Sequence, residues 1–150
     1  MALRDISYVI HIASTPDRVW QALTGDESVR QNWGLIHSNW APGARIEEVS
    51  DSGKLLWQGE VLEVEPGRHL SFTFDVVGSG ESPTNVSFDI AAPASAIRPH
   101  EAVVRLAITQ SGFAERSKLM PDCARAWTEI MSSMKSYVET GKPRPFAWKH

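Results

Sequence analysis

Near the end of the chain, Leu119, Cys123, Trp127, Ile130, Met131, Met134 and Val138 recur at three- and four-residue spacing. That spacing gathers them on one side of an α-helix running from Pro121 to Thr140. Thr128, Glu129, Ser132, Ser133, Lys135, Ser136 and Glu139 are expected on the opposite side. Pro121 suits the first helical turn, and Gly141 followed by Pro143 ends the helix. Between about Arg45 and Gln110 the chain reads as strands. A long helix with a broad apolar face, arriving after a run of strands, needs a sheet to cover it. A helix gripped by a curved sheet can enclose a cavity.

The strands are legible from alternation. Ile6, Tyr8, Ile10 and Ile12 mark the first, with the isoleucines facing inward. Thr15 and Pro16 then start a helix as N-cap and first helical residue, and Val19, Trp20 and Leu23 form its apolar face. Gly25 ends it, and Asp26 is expected to cap a second short helix reaching about Trp33. Strands follow over 45–50, 55–65 and 68–77, separated by the turns Asp51-Ser52-Gly53-Lys54 and Pro66-Gly67. Leu70, Phe72, Phe74 and Val76 share one face. Val86, Phe88 and Ile90 mark a further strand, 91–100 reads as loop, and Val104, Leu106 and Ile108 alternate in the last strand, 101–110. The expected order is β, α, α, five strands, then a long α, in one domain over 1–150 with 142–150 as a tail.

Several chemistries find no support. The net charge of −3 and the absence of a basic run disfavour a nucleic-acid partner. Five histidines are present, but none lies at i, i+4 from another, so no metal site is expected. Gly78-Ser79-Gly80 and Gly53-Lys54 are turns rather than phosphate loops, and no nucleophile elbow occurs. Cys123 is the one cysteine and reads as a small core residue. The first ten residues lack an apolar core of the kind a signal peptide needs, and no run is long enough for membrane insertion. A cytoplasmic location is the expectation.

Acids on the strands, Glu47, Glu60, Glu63, Asp75 and Asp89, are candidates for an inward carboxylate that could act as acid or base. The aromatic content is the stronger signal. Six Trp and five Phe are present, and several fall at helix–sheet junctions or on facing strands. Rings and soft methionines of this kind suit a cavity for a flat apolar ligand. The candidate wall residues are Trp33, Trp57, Phe72, Phe74, Trp127, Met131 and Met134.

Four stretches in order resemble the START-like, helix-grip (SRPBCC) superfamily, and within it the group named for the activator of Hsp90 ATPase. They are 12–24 (first strand and helix entry), Asn32-Trp33-Gly34, the hairpin 59–70, and Ala126-Trp127 through Gly141. Ala126 stands where the family often has Gly, and Gly43-Ala44 where it often has paired glycines. The resemblance implies an α+β fold of Bet v 1-like type, a seven-stranded antiparallel sheet curved round the C-terminal helix. It does not imply one activity. The resulting expectation is a binder of a small hydrophobic or aromatic molecule, with neither metal nor organic cofactor. The alternatives are a cofactor-independent enzyme of cyclase, dehydratase or hydrolase type, and a co-chaperone-like interaction module. The tail Phe146-Ala147-Trp148 leaves room for a homodimer.

Overall fold

The computed structural model describes residues 3–92 and 103–142. The tail, including Phe146 and Trp148, and most of the expected loop 91–100 lie outside the described residues. Seven strands, β1 (Arg4–Ile12), β2 (Leu35–Ser38), β3 (Arg45–Val49), β4 (Leu55–Glu65), β5 (His69–Val76), β6 (Thr84–Ala91) and β7 (Val104–Phe113), form one antiparallel sheet. Its order is β1-β7-β6-β5-β4-β3-β2. Strands β2 to β7 meander in sequence, and β1 closes the far edge beside β7. The helices α1 (Pro16–Thr24) and α2 (Asp26–Asn32) link the two edge strands, and α3 (Leu119–Thr140) packs across the sheet. This is the expected helix-grip architecture.

Strand β2 was not expected from the residues, which suggested six strands. At four residues it is too short to show alternation, and it forms because Leu35 to Ser38 pair with Val49 to Ile46. The N-terminus of α1 matches expectation, with the Thr15 side chain accepting from the Arg18 N–H at 3.4 Å and Pro16 in the first turn. The start of α2 differs. Gly25 takes the capping position, no side chain caps it, and Asp26 is already helical. The first turn of α3 is capped from a distance: Glu81, in the β5–β6 loop, accepts from the Lys118 and Leu119 N–H groups at 3.0 and 3.2 Å. A carboxylate there satisfies otherwise orphaned donors and sits favourably against the helix dipole.

The core lies between α3 and the inner face of the sheet. It includes Ile12, Leu23, Ile46, Val61, Leu70, Phe72, Phe88, Leu106, Ile108, Met131 and Met134, all essentially inaccessible to water. Ser133 was expected on the solvent side of α3 but is fully buried. It stands three residues from Ile130, at the edge of the apolar arc, where α2 covers it. Its hydroxyl donates to Asn32 Oδ1 at 2.9 Å, and Asn32 Nδ2 donates to the Ser28 carbonyl at 2.9 Å. Buried polar groups of this kind are tolerated because they are hydrogen-bonded.

Candidate functional site

A cleft of about 430 Å³ opens between the first half of α3, the β3–β4 hairpin and the end of β5. Four of the seven expected wall residues line it: Trp33, Trp57, Phe74 and Trp127. Each arrives from a different element. Trp33 closes α2, Trp57 and Phe74 point inward from the neighbouring strands β4 and β5, and Trp127 projects from α3. Their rings form one cluster. Trp57 and Phe74 have centroids 4.4 Å apart, Trp33 stacks on Trp57 at 6.1 Å, and Trp127 meets Trp33 edge-on at 5.5 Å. The distances are those of favourable offset and edge-to-face pairs.

The other three expected wall residues lie elsewhere. Phe72, Met131 and Met134 are fully buried and do not line the cleft. Phe72 packs on Trp33, Trp57 and Phe88, one layer behind the wall. Both methionines sit on the part of α3 nearer the centre of the core. An apolar face is shared by wall and core, and periodicity does not separate the two.

The inward carboxylate exists, but it is Glu48, which was not among the expected five. Glu47 faces outward and pairs with Arg45 at 3.0 Å. Glu60, Glu63 and Asp89 are exposed, and Asp75 lies on the outer face with Ser71 and Thr73. Glu48 is 3% exposed, lines the cleft, and stands directly opposite Trp57 across the β3–β4 ladder. Its Oε1 accepts the Trp57 indole N–H at 2.8 Å. The signal was available: Ile46 is an inward residue, so two positions on, Glu48 must share its face. On the other side, Gly34 packs so closely that a Cβ there would collide with Glu48 Oε2.

The second indole is tied in the same way. Trp127 Nε1 donates to Gln110 Oε1 at 2.7 Å, and Gln110 Nε2 donates to Thr84 Oγ1 at 2.9 Å. Gln110 is fully buried and continues the inward series Val104, Leu106, Ile108 by two residues. Two of the three indole donors in the cleft wall, those of Trp57 and Trp127, are therefore satisfied by protein acceptors. Cys123 is half-buried in the cleft lining rather than in the core, and burial pushes its thiol from 9.0 up to about 11. Asp122 and Arg125 form an exposed ion pair at the mouth, 3.3 Å apart.

A family model for activator of Hsp90 ATPase homolog 1-like proteins matches residues 13–139. The chain belongs to this family. Every residue of the cleft lies inside the matched span. None of the curated proteins matches the sequence. Among solved structures, protein MLL2253 from Mesorhizobium loti is similar over 89% of this chain and 95% of its own, at 21% identity and a TM-score of 0.76. The Aha1 protein of Colwellia psychrerythraea, whose solution structure is of a dimer, is similar over 93% of this chain and 98% of its own, at 23% identity and a TM-score of 0.70. DynU16, a protein of the dynemicin biosynthetic locus, is similar over 97% of this chain and 51% of its own, at 23% identity and a TM-score of 0.79. At these identities the likeness is one of fold.

A second cleft, of about 500 Å³, lies beside β2 and is lined by Asp26, Arg30, His37, Arg45 and Glu47 among others. No Phe, Tyr or Trp lines it. Among the described residues no three metal-ligating side chains come together, and no helix is long and apolar enough to cross a membrane.

Proposed function

We propose that the protein binds a small, flat, hydrophobic or aromatic molecule in the cleft between α3 and the sheet. The observation that carries this reading is the wall itself: Trp33, Trp57, Phe74 and Trp127 around one opening, with the Trp57 and Trp127 indole N–H groups already engaged. Rings fixed in this way lose little freedom on binding and offer stacking surface at low entropic cost. The volume suits a ligand of two or three fused rings. A homodimer is compatible with the reading, given the dimeric Colwellia relative.

An environment-sensitive naphthalene dye tests the proposal. It should bind the folded protein near one equivalent and quench tryptophan emission. Dye uptake only near the unfolding transition would mean the cleft does not accept ligands. Where the dye binds the folded protein, native mass spectrometry of the purified protein identifies a natural occupant by its mass.

An enzyme is the second reading, and Glu48 is the residue in its favour, as a buried carboxylate facing an apolar cleft. It ranks lower because, among the described residues, no His or Tyr lines the cleft to share proton transfer.

A further inference from the structure

We infer that two copies of the chain pair through the open edge of β1, antiparallel about a two-fold axis at Ile6, so that their sheets join into one. This specifies a surface for the homodimer that the proposed function allows, and it makes no use of the cleft.

Strand β1 is nine residues long and has a neighbour, β7, on one side only. An edge of that length presents a row of unpaired N–H and C=O groups unless something covers it. The other edge strand, β2, has four residues and offers far less. Part of the β1 edge is covered. Lys135 Nζ donates to the His11 carbonyl at 2.6 Å, and the Ala13 N–H donates to Glu139 Oε2 at 2.7 Å, so the end of α3 closes the C-terminal end of the edge. The same two contacts mark which residues face the open side. Backbone direction repeats every two residues along a strand, so Asp5, Ser7 and Val9 turn their N–H and C=O groups the same way as His11. Among the described residues, no hydrogen bond reaches those groups. The open stretch runs from Leu3, just ahead of β1, to Val9.

Side chains then select the register. Residues directly opposite in an antiparallel pair point to the same face, so odd residues meet odd residues across the axis. Centring on Asp5 would set two carboxylates against each other, which is unfavourable. Centring on Ser7 or beyond would need the His11 carbonyl, which Lys135 holds. Centring on Ile6 uses the open stretch from end to end. Leu3 then lies beside Val9 of the second copy. These are the exposed large hydrophobic residues of this edge, at 66% and 38%. In the same register Asp5 lies beside the Ser7 hydroxyl and Arg4 beside the Tyr8 ring, and no like charges are opposed.

Pairing a few residues per copy makes a small interface, so the dimer should be weak, with a Kd on the order of 100 μM. Sedimentation equilibrium of the full chain, carried to about ten times that concentration, should show it. Amide exchange followed by NMR should slow at Asp5, Ser7 and Val9 as protein concentration rises. Ser7→Pro removes one open-side N–H and leaves the β7 ladder intact. Val9→Lys sets a charge against Leu3 of the second copy. Each should weaken dimerisation at least about tenfold. Should Ser7→Pro not fold, Val9→Lys, at an exposed position, still decides. A dimer that Val9→Lys leaves unweakened would lie on another surface, and the inference would fail while the homodimer stands. A chain that stays monomeric throughout overturns both.

Discussion

The Trp127 indole N–H and the Gln110 amide oxygen meet at 2.7 Å, both buried, and join α3 to β7 across the wall of the cleft. The pair makes Trp127 a core residue and a wall residue at once. One side of its ring system packs on Phe88 at 5.7 Å, and another borders the opening.

Trp127→Ala should therefore cost a core-sized amount, about 3–5 kcal/mol, because the ring is lost and the Gln110 oxygen is left without its donor. Trp127→Phe keeps most of the ring and should cost about 1–3 kcal/mol, chiefly for the orphaned acceptor. Urea unfolding of both variants measures the difference. Dye affinity should fall at least about tenfold in the alanine variant, which is about 1.4 kcal/mol. Unchanged dye affinity would remove Trp127 from the wall.

Gly34 is a sensitive handle on Glu48, because a side chain there has to displace the carboxylate. Gly34→Ala should weaken the Glu48–Trp57 hydrogen bond and lower stability by about 1–3 kcal/mol, the usual range for disturbing a buried charged hydrogen bond. The Trp57 indole proton, assigned by NMR, should shift upfield as its acceptor recedes. An unmoved indole resonance would show that the backbone, rather than Glu48, gives way.

Among the described residues, His69, Glu81 and Glu139 contribute to the pH dependence of stability between acid and neutral pH. Burial alone would lower the His69 pKa, but hydrogen bonds to Asp89 at 2.7 Å and Glu63 at 3.3 Å outweigh it and raise the group above 6.5. That contribution is complete below 6.5 and is lost as pH rises through the raised folded value. Glu81 is lowered from 4.5, mainly by the Ser117 hydroxyl and then by the Lys118 and Leu119 N–H groups. Glu139 is also lowered from 4.5: burial opposes this, but the Ala13 N–H and Lys135 prevail. Their contributions are complete above 4.5 and vanish as pH falls through the depressed folded values. Stability should therefore decline on both sides of a mildly acidic optimum. His69→Gln should flatten the alkaline limb, and Glu139→Gln should flatten part of the acid limb. Urea midpoints measured across pH check both, and an unaltered alkaline limb in His69→Gln would dismiss the histidine.

Much of the fold was legible because its signals are local. Alternation at Leu70, Phe72 and Phe74, the Thr15-Pro16 helix start and the apolar arc of α3 each follow from a few adjacent residues. Features that depend on pairing were harder to read. Strand β2 exists through its partner β3, and Ser133 is buried because Asn32 arrives from α2 to meet it. The site divides along the same line. Trp33, Trp57, Phe74 and Trp127 announce themselves as large rings, but whether a ring faces a cleft or a neighbour is decided in three dimensions, as Phe72 shows. Glu48 was accessible in principle from its two-residue offset to Ile46. Adjacent acids at 47 and 48 hide which of the two turns inward until the register with Trp57 is known.

Cys123 gives the last prediction, because it reports on the cleft without altering it. Its thiol is half-buried among apolar groups, and desolvation holds it at about 11 against an ordinary 9.0, with the Gln110 side chain pulling slightly the other way. Two units mean about a hundredfold less thiolate at neutral pH, and the thiolate is the reactive form. Alkylation by iodoacetamide at pH 7.5 should therefore run about a hundredfold slower than for an ordinary exposed cysteine, and should accelerate as pH is raised toward 11. Cys123 also lines the cleft. A saturating naphthalene probe should slow the reaction further, in proportion to occupancy, and intact mass spectrometry follows the single modification. A rate equal to that of a free thiol would show that the cleft is open to water around Cys123. Slow alkylation that bound probe leaves untouched would place the probe elsewhere on the molecule.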